Sequence, residues 1–295
     1  MSIWEMGSGD FRLGEFLFVL VFGLLIGSFL NVVIVRLPHG KSLVHPGSSC
    51  PRCAASIRWF DNVPVVSWLL LLRGRCRSCR TPISIRYPVV ELITAFLFVA
   101  CWMRFGWGVG LWLRDWPLVA ALVAVSFIDL DLRIIPDEIS LGGAVWGLLT
   151  AFLDPRLGWS GAILGALAGF GIFYGFAWLY WFMTRRSGLG GGDIKLLAML
   201  GAFIGVQGVM VTILVSSVLG SFFGILSALW ERRSRRPGGP GASGAGVIDG
   251  ESPLGDESRD SVLKTAIPYG PFLVLGAIFY HLLGDAPWFP FTILI

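Results

Sequence analysis

Charge is what this sequence has least of. Asp, Glu, Lys and Arg make up 14% of 295 residues, against 55% hydrophobic residues and a mean hydropathy of +0.74. A chain with so little polar material cannot cover a water-soluble fold of this size. A secreted enzyme, a soluble dinucleotide-binding domain and a disordered chain are excluded, and no Rossmann-type glycine fingerprint is present. The first apolar run has no basic region before it, being preceded by Glu5, Asp10 and Glu15, and no small-residue cleavage site after it. It is expected to be a retained helix rather than a removed signal peptide. The net charge of +4 carries no nucleic-acid reading, because the basic residues have meaning by position and not by total.

What is abundant is apolar sequence in runs of spanning length, near 15–35, 88–105, 116–132, 138–153, 160–183, 193–207, 208–230 and 269–284. The expected fold is an all-α polytopic membrane protein with about eight transmembrane helices and a small zinc-ribbon-like cytoplasmic domain between helices one and two. Nineteen of the 23 Lys and Arg residues fall in connections on one side, leaving Arg12, Arg104, Arg114 and Arg156 on the other. The positive-inside rule then places the 36–87 connection in the cytoplasm and both termini outside. The organisation read from this is a first transmembrane helix over 1–35, a cytoplasmic four-cysteine domain over 36–87 and a helical membrane core over 88–230. A disordered cytoplasmic loop over 231–265 and a last helix over 266–295 follow. The loop begins Glu231-Arg232-Arg233-Ser234-Arg235-Arg236 and runs on through Pro, Gly, Ala and Ser, a composition unable to bury a core.

Four of the five cysteines form two CxxC pairs, Cys50-Pro51-Arg52-Cys53 and Cys76-Arg77-Ser78-Cys79. Two thiolates three positions apart grip one side of a tetrahedral ion, and a second pair closes the shell with no open position for a substrate. The pattern therefore points to a structural zinc, since disulfides are disfavoured in a reducing compartment. His39 and His45 are not needed as ligands. Cys101, alone in an apolar run, reads as packing.

An ionisable group at the edge of a spanning segment is costly and needs a partner or a purpose. Asp129, Asp131, Asp137 and Glu138 cluster at the cytoplasmic end of the third span. Asp193 lies in Gly188-Leu189-Gly190-Gly191-Gly192-Asp193-Ile194-Lys195 at the cytoplasmic start of the sixth. Both sites fall on one side of the membrane at similar depth. Two carboxylates a few Å apart in low dielectric share a proton, and such a pair activates a water against an amide without a metal or a covalent nucleophile. Asp129 directly follows an apolar run, whereas Asp131 is on another helix face and Asp137 follows Pro136, where it can cap the next helix. Asp131, Asp137 and Glu138 read as a polar turn, and Asp129 and Asp193 as the functional pair. The glycines before Asp193 allow close approach of a neighbouring helix or an extended substrate. Asn31 reads as a bond across helices. Glu91 either pairs with Arg86 or a neighbouring arginine, or is functional. Lys195 either snorkels to the interface or holds the Asp193 carboxylate charged. Gly201, Gly205 and Gly208 read as sites of close helix packing.

With these residues set out, the sequence resembles the type IV prepilin peptidases, membrane aspartic proteases of the GxGD class. The likeness covers almost the whole chain. It is carried by Gly27-Ser28-Phe29-Leu30-Asn31-Val32-Val33 running to Arg36-Leu37-Pro38, the paired CxxC knuckles, and Arg86-Tyr87-Pro88-Val89-Val90-Glu91-Leu92. It continues through Asp129 to Asp137, Gly190 to Asp193 with Lys195 to Gly201, and Ile267-Pro268-Tyr269-Gly270-Pro271. The resemblance implies that Asp129 and Asp193 are the catalytic pair. It implies substrates that are prepilins or type II secretion pseudopilins, cut after a glycine on the cytoplasmic side of a bacterial inner membrane, with the substrate's apolar helix kept in the bilayer. For members with the cysteine loop it further implies N-methylation of the new terminal amine, usually of phenylalanine, from S-adenosylmethionine. That site is carried over to the first span and cytoplasmic loop, with Glu91 as a candidate participant. Gly191 at the variable GxGD position and the long 231–265 insertion depart from the pattern without removing a catalytic group.

Two other classes compete. An ion-coupled carrier would use Asp129 and Asp193 to bind an ion, but it calls for an internal repeat and a midplane site. A membrane scaffold would use the zinc domain to hold a partner and has no need of paired aspartates.

Overall fold

A computed structural model of the chain describes residues 13–50, 52–185, 190–234 and 268–284. Regular structure among them is helical throughout: α1 Leu13–Arg36, α2 Arg86–Phe105, α3 Trp116–Leu132, α4 Asp137–Leu149, α5 Gly158–Thr184, α6 Gly191–Ser234 and α7 Gly270–Leu283. Only two isolated antiparallel bridges, Ser49 with Ser56 and Arg75 with Pro82, interrupt this pattern. Five helical stretches are long and apolar enough to cross a membrane: Leu13–His39, Arg86–Phe105, Leu111–Leu132, Gly158–Thr184 and Gly191–Ser227. α4 and α7, of 13 and 14 residues, are shorter apolar helices.

α6 has 44 residues, about 66 Å of helix at 1.5 Å per residue, which is twice the hydrocarbon thickness of a bilayer. It is one element only by continuity. Gly205 adopts φ 68° and ψ −177° and divides it into two arms, a conformation glycine reaches without a Cβ penalty. The apolar runs expected over 193–207 and 208–230 correspond in sequence to these two arms, and Gly205 is a break as well as the packing contact expected of it: a Cβ on Gly165 would lie 2.6 Å from its Cα. The second arm stays helical to Ser234, past the expected start of the loop at 231. The rest of that loop and the C-terminal residues from 285 lie outside the described residues.

Two apolar clusters hold the helices together. One joins α1, α2 and α3 through residues such as Val19, Leu30, Phe98, Cys101, Trp116 and Ile128. Cys101 is fully buried there, as packing requires. The other joins α3, α5, α6 and α7 through Leu122, Phe173, Leu197, Met199, Leu200 and Leu273. α5 and the first arm of α6 meet backbone to backbone: a Cβ on Gly165 or Gly201 would collide with the other's carbonyl, and one on Gly169 with that of Leu197. Small residues supply this contact where lipid removes any hydrophobic drive to associate.

Arg114, expected among the cations of an outer connection, is instead only 2% exposed. It sits in a π-helical turn, Leu111–Asp115, that leads into α3. Its guanidinium donates to the carbonyls of Phe203 at 2.7 Å and Ala202 at 3.3 Å, just before the Gly205 break, and to Gly147 O at 3.1 Å near the end of α4. It also lies 5.0 Å over the Phe203 ring. Carbonyls freed by a helix break inside a bilayer have no water to bind, so one fixed cation satisfies the ends of two helices. Arg114→Met leaves these carbonyls unpartnered. The expected cost is about 3 kcal/mol, read as a lower thermal unfolding midpoint of the detergent-purified protein; an unchanged midpoint would refute this role.

Candidate active site

Asp129 lies in the last turn of α3, 6% exposed. Its main-chain carbonyl accepts the N–H of Arg133 at 2.9 Å, where a left-handed residue ends the helix. Its side-chain Oδ2 accepts the N–H of Gly270, the first residue of α7, at 3.0 Å. Amides at a helix N-terminus have no partner within the helix and favour a negative group. A Cβ at position 270 would stand 2.5 Å from that Oδ2, so glycine is what lets the amide reach the carboxylate. Tyr269 braces this turn through its hydroxyl, 2.7 Å from Ser216 Oγ on the second arm of α6. The role of Gly270 escaped sequence reasoning, although its Pro-Tyr-Gly-Pro setting was visible as a motif.

Asp193 stands in the first turn of α6, with its N–H on Gly190 O at 3.2 Å. It is half-buried. The glycines before it serve local fit: a Cβ on Gly190 would lie 3.1 Å from Asp193 Oδ2, and one on Gly192 would lie 3.0 Å from Ile135. Gly188 and Leu189 fall outside the described residues.

The neighbouring acids are engaged by cations. Lys195 Nζ donates to both oxygens of Asp137, at 2.7 and 2.8 Å. The reading that Lys195 holds Asp193 charged is therefore corrected: its ion-pair partner is Asp137, one helix away. Arg86 pairs with Asp131 and packs 5.6 Å over the Phe127 ring. This also corrects the reading that Glu91 pairs with Arg86.

The cysteine loop is built from two knuckles of one design. Cys50 N–H donates to Ala55 O, Ala54 N–H to Cys50 O and Ile57 N–H to Ser48 O; Cys76 to Thr81, Arg80 to Cys76 and Ile83 to Gly74 repeat the set 26 residues on. Ala54 and Arg80 take matching left-handed conformations, φ 55° and 59°. The four cysteines are free thiols, with all four Sγ atoms within 4.8 Å of one another and Cys50 and Cys79 3.8 Å apart. A tetrahedral ion with sulfur bonds of about 2.3 Å needs sulfur separations of about 3.8 Å, so the set fits a zinc-type ion. A hydrogen bond from Thr81 lowers the Cys79 thiol, while hydrogen bonding within the cluster pushes Cys53 up, so the four sulfurs titrate as one set. Beside the knuckles, Arg77 donates to both oxygens of Asp61, at 2.9 and 2.5 Å, and holds that carboxyl below its usual range.

Between this loop and the adjoining ends of α1 and α2 lies a cavity of about 570 Å³, lined among others by Asn31, Asp61, Trp68, Arg77, Tyr87 and Glu91. Asn31 Nδ2 bridges helices as expected, donating to Gly27 O at 3.3 Å and Tyr87 O at 3.1 Å. Glu91, 7% exposed, accepts the N–H of Val65 at 2.7 Å.

Residues 21–105 match the family model described as bacterial peptidase A24 N-terminal domain, and residues 116–225 match that of the type IV leader peptidase family. The chain is 37% identical over 306 residues to a "Prepilin leader peptidase/N-methyltransferase" of Myxococcus xanthus, covering 92% of this chain and 90% of that one. It is 40% identical over 302 residues to a protein of the same name from Aeromonas hydrophila, covering 92% and 91%. A "Type 4 prepilin-like proteins leader peptide-processing enzyme" of Escherichia coli is 38% identical over 227 residues, covering 70% and 82%. No solved structure matches the chain.

The knuckle geometry predicts about one tightly held metal ion per chain, measured by elemental analysis of purified protein. The Cys50→Ser, Cys53→Ser double variant is expected to lose it, and retention of a full equivalent would contradict the four-sulfur shell.

Proposed function

We propose, for a chain that belongs to the type IV leader peptidase family, that Asp129 and Asp193 are the catalytic pair of its peptidase. The protein cleaves the leader from prepilins and N-methylates the new terminus, as the names of its relatives indicate. The observation that carries the site is the meeting of three elements: the end of α3 with Asp129, the start of α7, whose Gly270 amide Asp129 accepts, and the start of α6 with Asp193, where Gly192 packs against Ile135 just after α3. One aspartate takes a proton from a water as that water attacks the scissile carbonyl, and the other donates a proton to the carbonyl oxygen. Collapse of the tetrahedral intermediate returns a proton to the leaving amine. The Gly190–Gly192 stretch gives an extended substrate backbone access beside Asp193.

The arrangement in the membrane follows from the same reading. The two arms of α6 together with α4 and α7 bring the five long apolar helices to eight spans. The positive-inside rule turns the Asp129 and Asp193 ends toward the cytoplasm of a bacterial inner membrane, with both termini periplasmic. Pseudopilins, which share an apolar N-terminal helix, are substrates beside prepilins. Zinc in the Cys50, Cys53, Cys76 and Cys79 shell is structural and shapes one wall of the cavity. The methyl donor, S-adenosylmethionine, supplies an activated methyl group from a sulfonium. The cavity suits it by size, falling within the roughly 300–1,000 Å³ of small-molecule sites, and by lining: Trp68 and Tyr87 offer aromatic faces, and Asp61 and Arg77 offer charge. The carrier and scaffold readings are not favoured, since neither accounts for two family models in register along the chain.

Asp129→Asn and Asp193→Asn are each expected to slow leader cleavage by more than about 1,000-fold while methylation of an already cleaved pilin persists. The wild-type rate should follow pH as a coupled pair rather than as a single group. A variant cleaving at the wild-type rate would remove that residue from the mechanism.

A further inference from the structure

We propose that Glu91 binds the substrate's new α-amine in the cavity and takes its proton during methylation. The inference rests on the methyl-transfer reading above and assigns the acceptor side of that reaction.

Glu91 lies five residues into α2, nearly inaccessible, in a stretch apolar enough to cross a membrane. A carboxylate kept at that depth needs a partner or a purpose. Its hydrogen-bond partner is a neutral donor, the Val65 N–H at 2.7 Å. A carboxylate has about four acceptor positions, so acceptor capacity remains for a ligand, and Glu91 lines the cavity together with Ser28. The loop contact is built at a cost. Val65 is β-branched yet takes φ 58°, a left-handed conformation that such residues rarely adopt and that survives where surrounding structure imposes it. That strained residue presents its amide to Glu91 and closes the loop against α2.

The position also suits the product of cleavage. Arg86, five residues before Glu91 and about 7.5 Å along the helix, pairs with Asp131, two residues from Asp129. The two carboxylate sites therefore sit on neighbouring helices α2 and α3. Cleavage leaves an ammonium at the tip of an apolar helix that stays in the bilayer, and a buried acid at the membrane edge is the group to receive it. Methylation needs the nitrogen lone pair. The nitrogen forms a bond to the methyl carbon as the carbon–sulfur bond of the sulfonium breaks and its electron pair stays on sulfur. The ammonium first gives one proton to the Glu91 carboxylate, which frees that lone pair, and the products are a secondary ammonium, a thioether and a protonated Glu91.

Glu91→Gln separates this role from a clamp, because the amide oxygen still accepts from Val65 while the proton-accepting charge is gone. The measurements are methylation of a pre-cleaved pilin, calorimetric binding of S-adenosylhomocysteine, and leader cleavage in the same preparation as a check of folding. The expected result is methylation lowered by at least about 100-fold, with S-adenosylhomocysteine affinity within about twofold of wild type. The residual rate should climb with pH toward the α-amine range of about 8, and Glu91→Asp should recover part of the loss. Methylation near the wild-type rate in Glu91→Gln would reduce Glu91 to a clamp for Val65, and loss of S-adenosylhomocysteine binding would make it a donor-site residue; either overturns the proposal. A wild-type protein that neither methylates nor binds S-adenosylhomocysteine would remove the methyl-transfer reading itself.

Discussion

Polar groups inside a bilayer have no water to turn to, and the helix ends of this protein are arranged around that constraint. Where α6 breaks at Gly205, the carbonyls of Ala202 and Phe203 turn to Arg114. Where α7 begins, the amide of Gly270 turns to Asp129. The two solutions have opposite charge, a cation at a helix C-terminus and a carboxylate at a helix N-terminus, each matching the local dipole. Arg114 ties the end of α4 to the end of the first arm of α6, while the Asp137–Lys195 pair ties their beginnings. The segment that carries Asp193 is thereby held at both ends. Asp129 and Glu91, whose carboxylates accept main-chain amides, are among the groups proposed for chemistry, whereas the neighbours Asp131 and Asp137 are satisfied by cations.

Much of this was legible in the sequence because it is encoded locally. Apolar runs locate the helices, and the CxxC pairs announce knuckles whose hydrogen bonds repeat residue for residue. Helix face and Pro136 set Asp131 and Asp137 apart from Asp129, and both have cation partners in the structure. What could not be read depends on contacts between residues far apart in the chain. Arg114 looked like a cation of an outer connection because its carbonyl partners lie some 33 to 89 residues away. Gly270 looked like part of a turn because its meaning comes from a carboxylate 141 residues earlier. Lys195 sits two residues from Asp193, yet its partner is across on α4. Periodicity and spacing report which face a residue occupies, and they are silent about which neighbour that face meets.

Two chemistries share this scaffold without sharing groups. The proposed peptidase site is framed by α3, α6 and α7, and the proposed methylation site by α1, α2 and the metal-binding loop, with Arg86 and Asp131 linking the two. A product tethered by its own membrane helix need not be released to bulk solvent between them, which favours cleavage first and methylation second.

The order of events tests this account most directly. Time-resolved mass spectrometry of one prepilin, incubated with detergent-purified protein and S-adenosylmethionine, follows precursor, cleaved and methylated species together. The account predicts loss of the leader first, then a single methyl mass on the shortened chain, with no methyl on the intact precursor's own terminus. A methylated precursor, or no leader loss from protein shown to be folded, would contradict it.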